Sequence, residues 1–124
     1  MPGKILVVDD EEFFCRELRR FLEGKGYNVL EAYSGDEALE VYRQERPDVV
    51  LLDIRMPGKD GLETLKEIKD LDPEASVIMV TAVHEEELVE QAKADGAHHY
   101  VAKPVDLEYL LSLLTNNGLL DASE

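Results

Sequence analysis

Val49-Val50-Leu51-Leu52-Asp53-Ile54-Arg55-Met56-Pro57-Gly58 is the stretch that decides the fold. Four apolar residues stand in a row with no polar alternate between them. A strand with one wet face alternates, so an unbroken run of this kind belongs to a strand covered on both sides, as in a parallel sheet flanked by helices. The run stops at a carboxylate, Asp53, and passes into a loop marked by Pro57 and Gly58.

Working outward, the same grammar repeats on both sides. Lys4-Ile5-Leu6-Val7-Val8 is a second such run, and it ends in Asp9-Asp10-Glu11-Glu12. Residues 11–25 place Phe14, Leu18, Phe21 and Leu22 on one helical stripe that Gly24 and Gly26 close. Residues 27–32 read as a strand, and Ser34 caps a helix over 36–45 with Ala38, Leu39 and Tyr42 inward and Pro47 beyond it. After the central run, Leu62, Leu65, Ile68 and Leu71 mark a third helix, and residues 76–81 a fourth strand. A fourth helix over 85–95 has only a thin stripe of Leu88, Val89 and Ala92. Residues 100–102 form a short last strand. Asp106 opens a final helix through about residue 114, with Leu107, Leu110, Leu111 and Leu114 toward the core and Tyr109 and Leu113 outward.

Five βα units in strict alternation predict an α/β fold, a flavodoxin-like doubly wound (βα)5 three-layer sandwich. Its five-stranded parallel sheet should have the order 2-1-3-4-5. In such a sheet the site lies beyond the carboxyl ends of the strands, where the order reverses between strands 1 and 3.

A chain of 124 residues is one domain's worth, expected here over 1–118, with 119–124 a tail or a truncated linker. Asp and Glu number 28 against 13 Lys and Arg, a net charge of −15. Such a surface repels phosphate backbones and anionic lipid, which argues against direct nucleic-acid or membrane binding. The single cysteine, Cys15, allows no internal disulfide and fits a reducing compartment. No signal peptide is visible, so a soluble, cytoplasmic chain is expected.

The strand ends carry the chemistry. The first strand ends at Asp9-Asp10, the third at Asp53, the fourth at Thr81, and the fifth just before Lys103. Singly, each is ordinary turn or surface chemistry. Together, the fold sets all five on one edge. Three carboxylates in one place must protonate or bind a cation, and a hard all-oxygen set with few carboxylates suits Mg2+. A carboxylate nucleophile, a hard cation, an ammonium and a hydroxyl are the parts needed to move a phosphoryl group onto an aspartate, and Asp53 is the central candidate. No G-x-x-x-x-G-K-[ST] occurs, and the acidic run after the first strand admits phosphate only with a metal.

These residues resemble the receiver domains of two-component response regulators, the chemotaxis regulators among them. The likeness runs from about Lys4 to Leu114. It is carried by Val8-Asp9-Asp10-Glu11, by Leu52-Asp53-Ile54-Arg55-Met56-Pro57-Gly58 with Gly61 beyond, by Val80-Thr81-Ala82, and by Tyr100-Val101-Ala102-Lys103-Pro104. The resemblance implies that Asp53 accepts a phosphoryl group from a histidine kinase or phosphotransfer protein. It implies Mg2+ bound directly by Asp10 and Asp53, through water by Asp9, and by the backbone carbonyl of Arg55. Lys103 would pair with Asp53 and then with the phosphoryl group, Thr81 would turn its hydroxyl to it, and Tyr100 would swing inward. The Lys103–Pro104 peptide is expected to be cis. Phosphorylation would then switch the face made by the fourth helix, fifth strand and fifth helix toward an output protein or effector domain.

Three features of this chain stand beside the shared pattern. Arg55 sets a bulky cation two residues past the acceptor, either at the phosphoryl edge or in solvent. Phe13, off the core stripe beside Arg16 and Arg20, makes a docking patch for an acidic partner helix or else packs against the following loop. The last helix has no Lys or Arg, so a charged-zipper dimer is disfavoured, and Tyr109 and Leu113 offer an apolar contact instead; the oligomeric state stays open. His98-His99 are adjacent on a loop and do not converge on one metal. Two other functions use related parts: a haloacid-dehalogenase-type phosphatase, which needs its nucleophile after the first strand in a D-x-D pattern, and an interaction module that has lost phosphorylation.

Overall fold

The computed structural model describes residues 3–56, 58–82 and 85–116. Pro57 of the loop after the third strand, the expected domain end at 117–118 and the tail at 119–124 lie outside the described residues.

The elements follow in the order β1 (Lys4–Val8), α1 (Glu12–Gly24), β2 (Asn28–Ala32), α2 (Gly35–Glu45), β3 (Val49–Leu52), α3 (Gly61–Leu71), β4 (Val77–Thr81), α4 (Glu86–Ala94), β5 (His99–Ala102) and α5 (Leu107–Asn116). Every strand pair is parallel, and the sheet order is β2-β1-β3-β4-β5, as expected from the alternation. Local signals fix the element ends. Ser34 accepts a hydrogen bond from the Glu37 amide at 3.1 Å. Asp60 and Glu63 form a reciprocal capping box at the start of α3. Arg46 adopts a left-handed φ of 44°, closing α2 just ahead of Pro47.

Alternation along the central strands divides the core in two. Leu6, Val8, Val50, Leu52, Val77 and Met79 face a layer containing Leu39, Tyr42, Leu65, Ile68 and Ala92, from α2, α3 and α4. Ile5, Val7, Val49, Leu51, Ile78 and Val80 face Cys15, Leu18, Leu22, Leu110 and Leu114, from α1 and α5. Full burial of each large aliphatic side chain contributes about 1.5–3 kcal/mol, so the two layers hold the sheet from both sides.

One sequence expectation is corrected by this packing. Leu113 does not face outward but is buried with Leu110 and Leu114, while Leu107 and Leu111 are only partly buried. Five leucines ring most of α5, and more than one arc of the helix could serve as its core face. Docking beside α1 selects the arc through Leu110, Leu113 and Leu114, turned from the one expected. Tyr109 remains outside, 53% exposed. In α4, Ala92 is the one buried residue, with Leu88 and Val89 partly covered.

Gly61 positions the loop between β3 and α3. Its amide donates to the Ile54 carbonyl at 2.7 Å, and a Cβ added to it would sit 1.9 Å from the Asp53 carbonyl oxygen. Backbone cannot yield as a flexible side chain can. Gly61→Ala should therefore lower stability by about 1–3 kcal/mol, as overpacking does. Urea unfolding checks this, and an unchanged midpoint would show that the contact is not maintained in solution.

Candidate functional site

The parallel order brings the ends of β1, β3, β4 and β5 to one edge. Strand pairing ties Asp53 to β1, since its amide donates to the Val8 carbonyl at 3.1 Å. The Asp9 amide in turn donates to Ala32 at the end of β2, also at 3.1 Å. The carboxylates of Asp9, Asp10 and Asp53 meet there, each offering an oxygen within 4.8 Å of the others. Asp9 and Asp53 are buried, and Asp10 is exposed.

Lys103 reaches this cluster from 94 and 50 residues away in sequence. Its ammonium donates to Asp9 Oδ2 at 2.6 Å and to Asp53 Oδ2 at 3.3 Å, with Glu11 at 3.7 Å. The Lys103–Pro104 peptide is cis. Thr81 is fully buried at the end of β4, and Tyr100 is partly buried on β5.

The electrostatics follow from this crowding. Burial pushes the Asp9 carboxyl above its ordinary value, opposed by the Lys103 hydrogen bond and by the Glu11 amide, which donates to Oδ1 at 2.9 Å; the neighbouring charge of Asp53 adds to the rise. Burial works against the Lys103 ammonium as well, but Asp9 and Asp53 outweigh it and hold the ammonium charged. Burial raises the Tyr100 phenol, helped by the negative charges of Asp53 and Glu85.

One ammonium does not satisfy this site. Asp53 Oδ1 is buried with no hydrogen-bond partner. Buried carboxylate oxygens are costly when unpaired. An unpaired oxygen among three clustered hard donors fits a divalent cation of the Mg2+ kind.

Arg55 is exposed, and its guanidinium pairs with Glu85, the residue that opens α4, at 3.4 Å. Phe13 is 72% exposed, with Arg16 and Arg20 also exposed along α1. His98 and His99 belong to no cluster able to hold a metal among the described residues. Sequence reading missed three contacts: Glu11 and Glu85 as partners of Lys103 and Arg55, and Phe14, whose ring centroid lies 4.2 Å from the Lys103 ammonium. Its helical period puts Phe14 on the core stripe of α1, and no local pattern joins residue 14 to residue 103.

The chain is similar to known proteins. The family model of the response regulator receiver domain matches residues 5–115. The sporulation initiation phosphotransferase F of Bacillus subtilis is 40% identical over 108 residues, covering 87% of each chain. The transcriptional regulatory protein ZraR of Salmonella typhimurium is 44% identical over 110 residues, which are 89% of this chain but only 25% of that protein. The chain thus spans about a quarter of that relative's length. Among solved structures, the CheX–CheY–BeF3–Mg2+ complex of Borrelia burgdorferi superposes with a TM-score of 0.89 at 33% identity, covering 94% of this chain and 90% of that one.

The raised Asp9 carboxyl gives a stability prediction. For an acid whose folded value is raised, the penalty is fully present above the folded value and gone below the ordinary 3.8. In chelator at neutral pH, Asp9→Asn should raise the melting temperature by several degrees, and the gain should vanish as the pH approaches that ordinary value. Thermal melts across pH check this; a variant less stable than the parent at neutral pH would mean that the Lys103 pairing outweighs burial.

Proposed function

The chain belongs to the response regulator receiver domain family, and from that premise we propose that it is the phospho-accepting switch of a two-component pathway. In this reading, a carboxylate oxygen of Asp53 attacks the phosphorus of a phosphohistidine on a histidine kinase or phosphotransfer protein. The P–O bond forms as the P–N bond breaks, and the imidazole leaves. Asp10 and Asp53 would hold Mg2+ directly and Asp9 through water, with the Arg55 carbonyl completing the protein's ligands. The ion supplies positive charge against the phosphoryl oxygens.

The observation that carries this reading is the Lys103 ammonium lying between Asp9 and Asp53 while the second Asp53 oxygen stays unpaired. Lys103 neutralises part of the carboxylate charge, which lets a phosphoryl group approach, and it then pairs with a phosphoryl oxygen. Thr81 gives its hydroxyl to the same group, and Tyr100 turns inward on β5. A haloacid-dehalogenase-type enzyme would need its acceptor after β1, whereas the unpaired carboxylate oxygen lies after β3. The relative solved with BeF3 and Mg2+ supports the same ligand chemistry.

The α4–β5–α5 face is the switched element. Ala92 alone is buried in α4, so little packing resists its movement. The receiver unit takes residues 1–118, followed by a tail or linker, and acts in the cytoplasm on an output protein or an effector domain. Among the described residues, no helix is long and apolar enough to cross a membrane. On the input side, Phe13 with Arg16 and Arg20 docks an acidic helix of the phosphodonor protein. Tyr109 offers an apolar contact on α5; the buried Leu113 does not.

Incubation with Mg2+ and phosphoramidate should add one acid-labile phosphate by intact mass, with none on Asp53→Asn. Continuous phosphate release with no adduct would favour an enzyme, and an adduct that persists in Asp53→Asn would move the acceptor elsewhere. For the docking patch, Phe13→Ala should slow transfer from a phosphorylated kinase about tenfold, as loss of an interface aromatic does, yet keep the rate from phosphoramidate. Equal loss from both donors would place Phe13 in folding rather than docking.

A further inference from the structure

Lys103 has two kinds of neighbour on different elements. Asp9, Asp53 and Glu11 draw its ammonium by charge, at 2.6, 3.3 and 3.7 Å. The Phe14 ring on α1 offers a π-face, its centroid 4.2 Å from the same nitrogen. That separation is well inside the range over which an ammonium is attracted to a ring face. The ring is itself held: Phe14 packs against the α1–α5 core and lines a cavity of about 260 Å³ with Leu18, Pro104, Val105 and Leu107.

The two attractions respond differently to a divalent cation. Asp9 and Asp53 are at once the ammonium's closest acceptors and members of the cluster that fits a metal. A doubly charged ion among them weakens their pull on Lys103 and repels it directly. A flexible lysine stem would then be free to swing into solvent. The ring's quadrupole is untouched by the carboxylates' occupancy, and the ring is half-buried, where such a contact is stronger than in open solvent.

We propose that Phe14 is a positioning residue: its ring face keeps the Lys103 ammonium at the acceptor once a divalent cation has taken the carboxylates. This rests on the reading of Asp53 as acceptor. Phe14 touches no reacting atom and acts through Lys103 alone.

The test is graded fluorination of residue 14, from phenylalanine through 4-fluoro- and 3,5-difluoro- to 3,4,5-trifluorophenylalanine, in the full chain. Each fluorine weakens the ring's quadrupole with little change in shape and makes the ring more apolar. The Mg2+-dependent rate with phosphoramidate should fall stepwise, by about 3- to 30-fold across the series, at an unchanged melting temperature. A ring that served only in packing would leave the rate flat or raise it, and that result overturns the proposal.

A second measurement needs no phosphorylation. By NMR, the ε-methylene protons of Lys103, assigned with Lys103→Arg, should be shifted upfield by the ring current. The shift should persist when Mg2+ alone saturates the site and be lost in Phe14→Leu. Its collapse on adding Mg2+ overturns the proposal. If the parent chain takes no phosphoryl group at all, the acceptor reading fails, while the methylene shift in Mg2+ still decides whether the ring holds the ammonium.

Discussion

Like-charge repulsion among Asp9, Asp10 and Asp53 is the constraint around which the rest of this molecule is arranged. Three carboxylates with oxygens within 4.8 Å of one another are stable only if one of them protonates or positive charge is brought to them. The chain supplies one such charge from its far end, the Lys103 ammonium, and leaves one buried oxygen of Asp53 unpaired. A parallel sheet in the order β2-β1-β3-β4-β5 satisfies that demand simply: every strand ends on the same edge, and the central strands bring the acids of β1 and β3 side by side. The cost of holding them there falls on packing. Both faces of β1, β3 and β4 are buried, and Gly61 has no Cβ where the α3 backbone meets Asp53.

The features legible in the sequence were those set by local chemistry. The central strand is read to the residue because four apolar positions in a row admit few other readings. Ser34 announces its helix because a side-chain oxygen must meet an orphan amide. The site was legible at its strand ends, since topology alone gathers Asp9, Asp10, Asp53, Thr81 and Lys103 on one edge.

What stayed hidden was decided between elements. Leu113 turned inward because α5, apolar on most sides, takes its orientation from α1 and the sheet rather than from its own period. The approach of Gly61 to the Asp53 carbonyl and the stacking of Lys103 on Phe14 join segments that share no sequence pattern. Glu85 as partner of Arg55 belongs to the same class. Periodicity ranks faces within one helix, but it is silent about which side chain from a second helix completes a site.

The difference between the well-held and the loosely held parts of the fold has a mechanical consequence. α1 buries Cys15, Leu18 and Leu22, and α3 buries Leu65 and Ile68, each worth on the order of 1–3 kcal/mol of fixed position. α4 buries Ala92 alone, and the ion pair that ties its start to the β3–α3 loop, Arg55 with Glu85, is exposed. Exposed pairs contribute about 0–1 kcal/mol. A phosphoryl group on Asp53 would gain charge-assisted hydrogen bonds of roughly 1.5–3 kcal/mol each. Two such bonds, about 3–6 kcal/mol together, exceed what anchors α4 and are comparable with what anchors α1 or α3. In the proposed switch, the same local event therefore acts first on α4, the least anchored of these helices, because an equilibrium shifts only by the difference in free energy between its states.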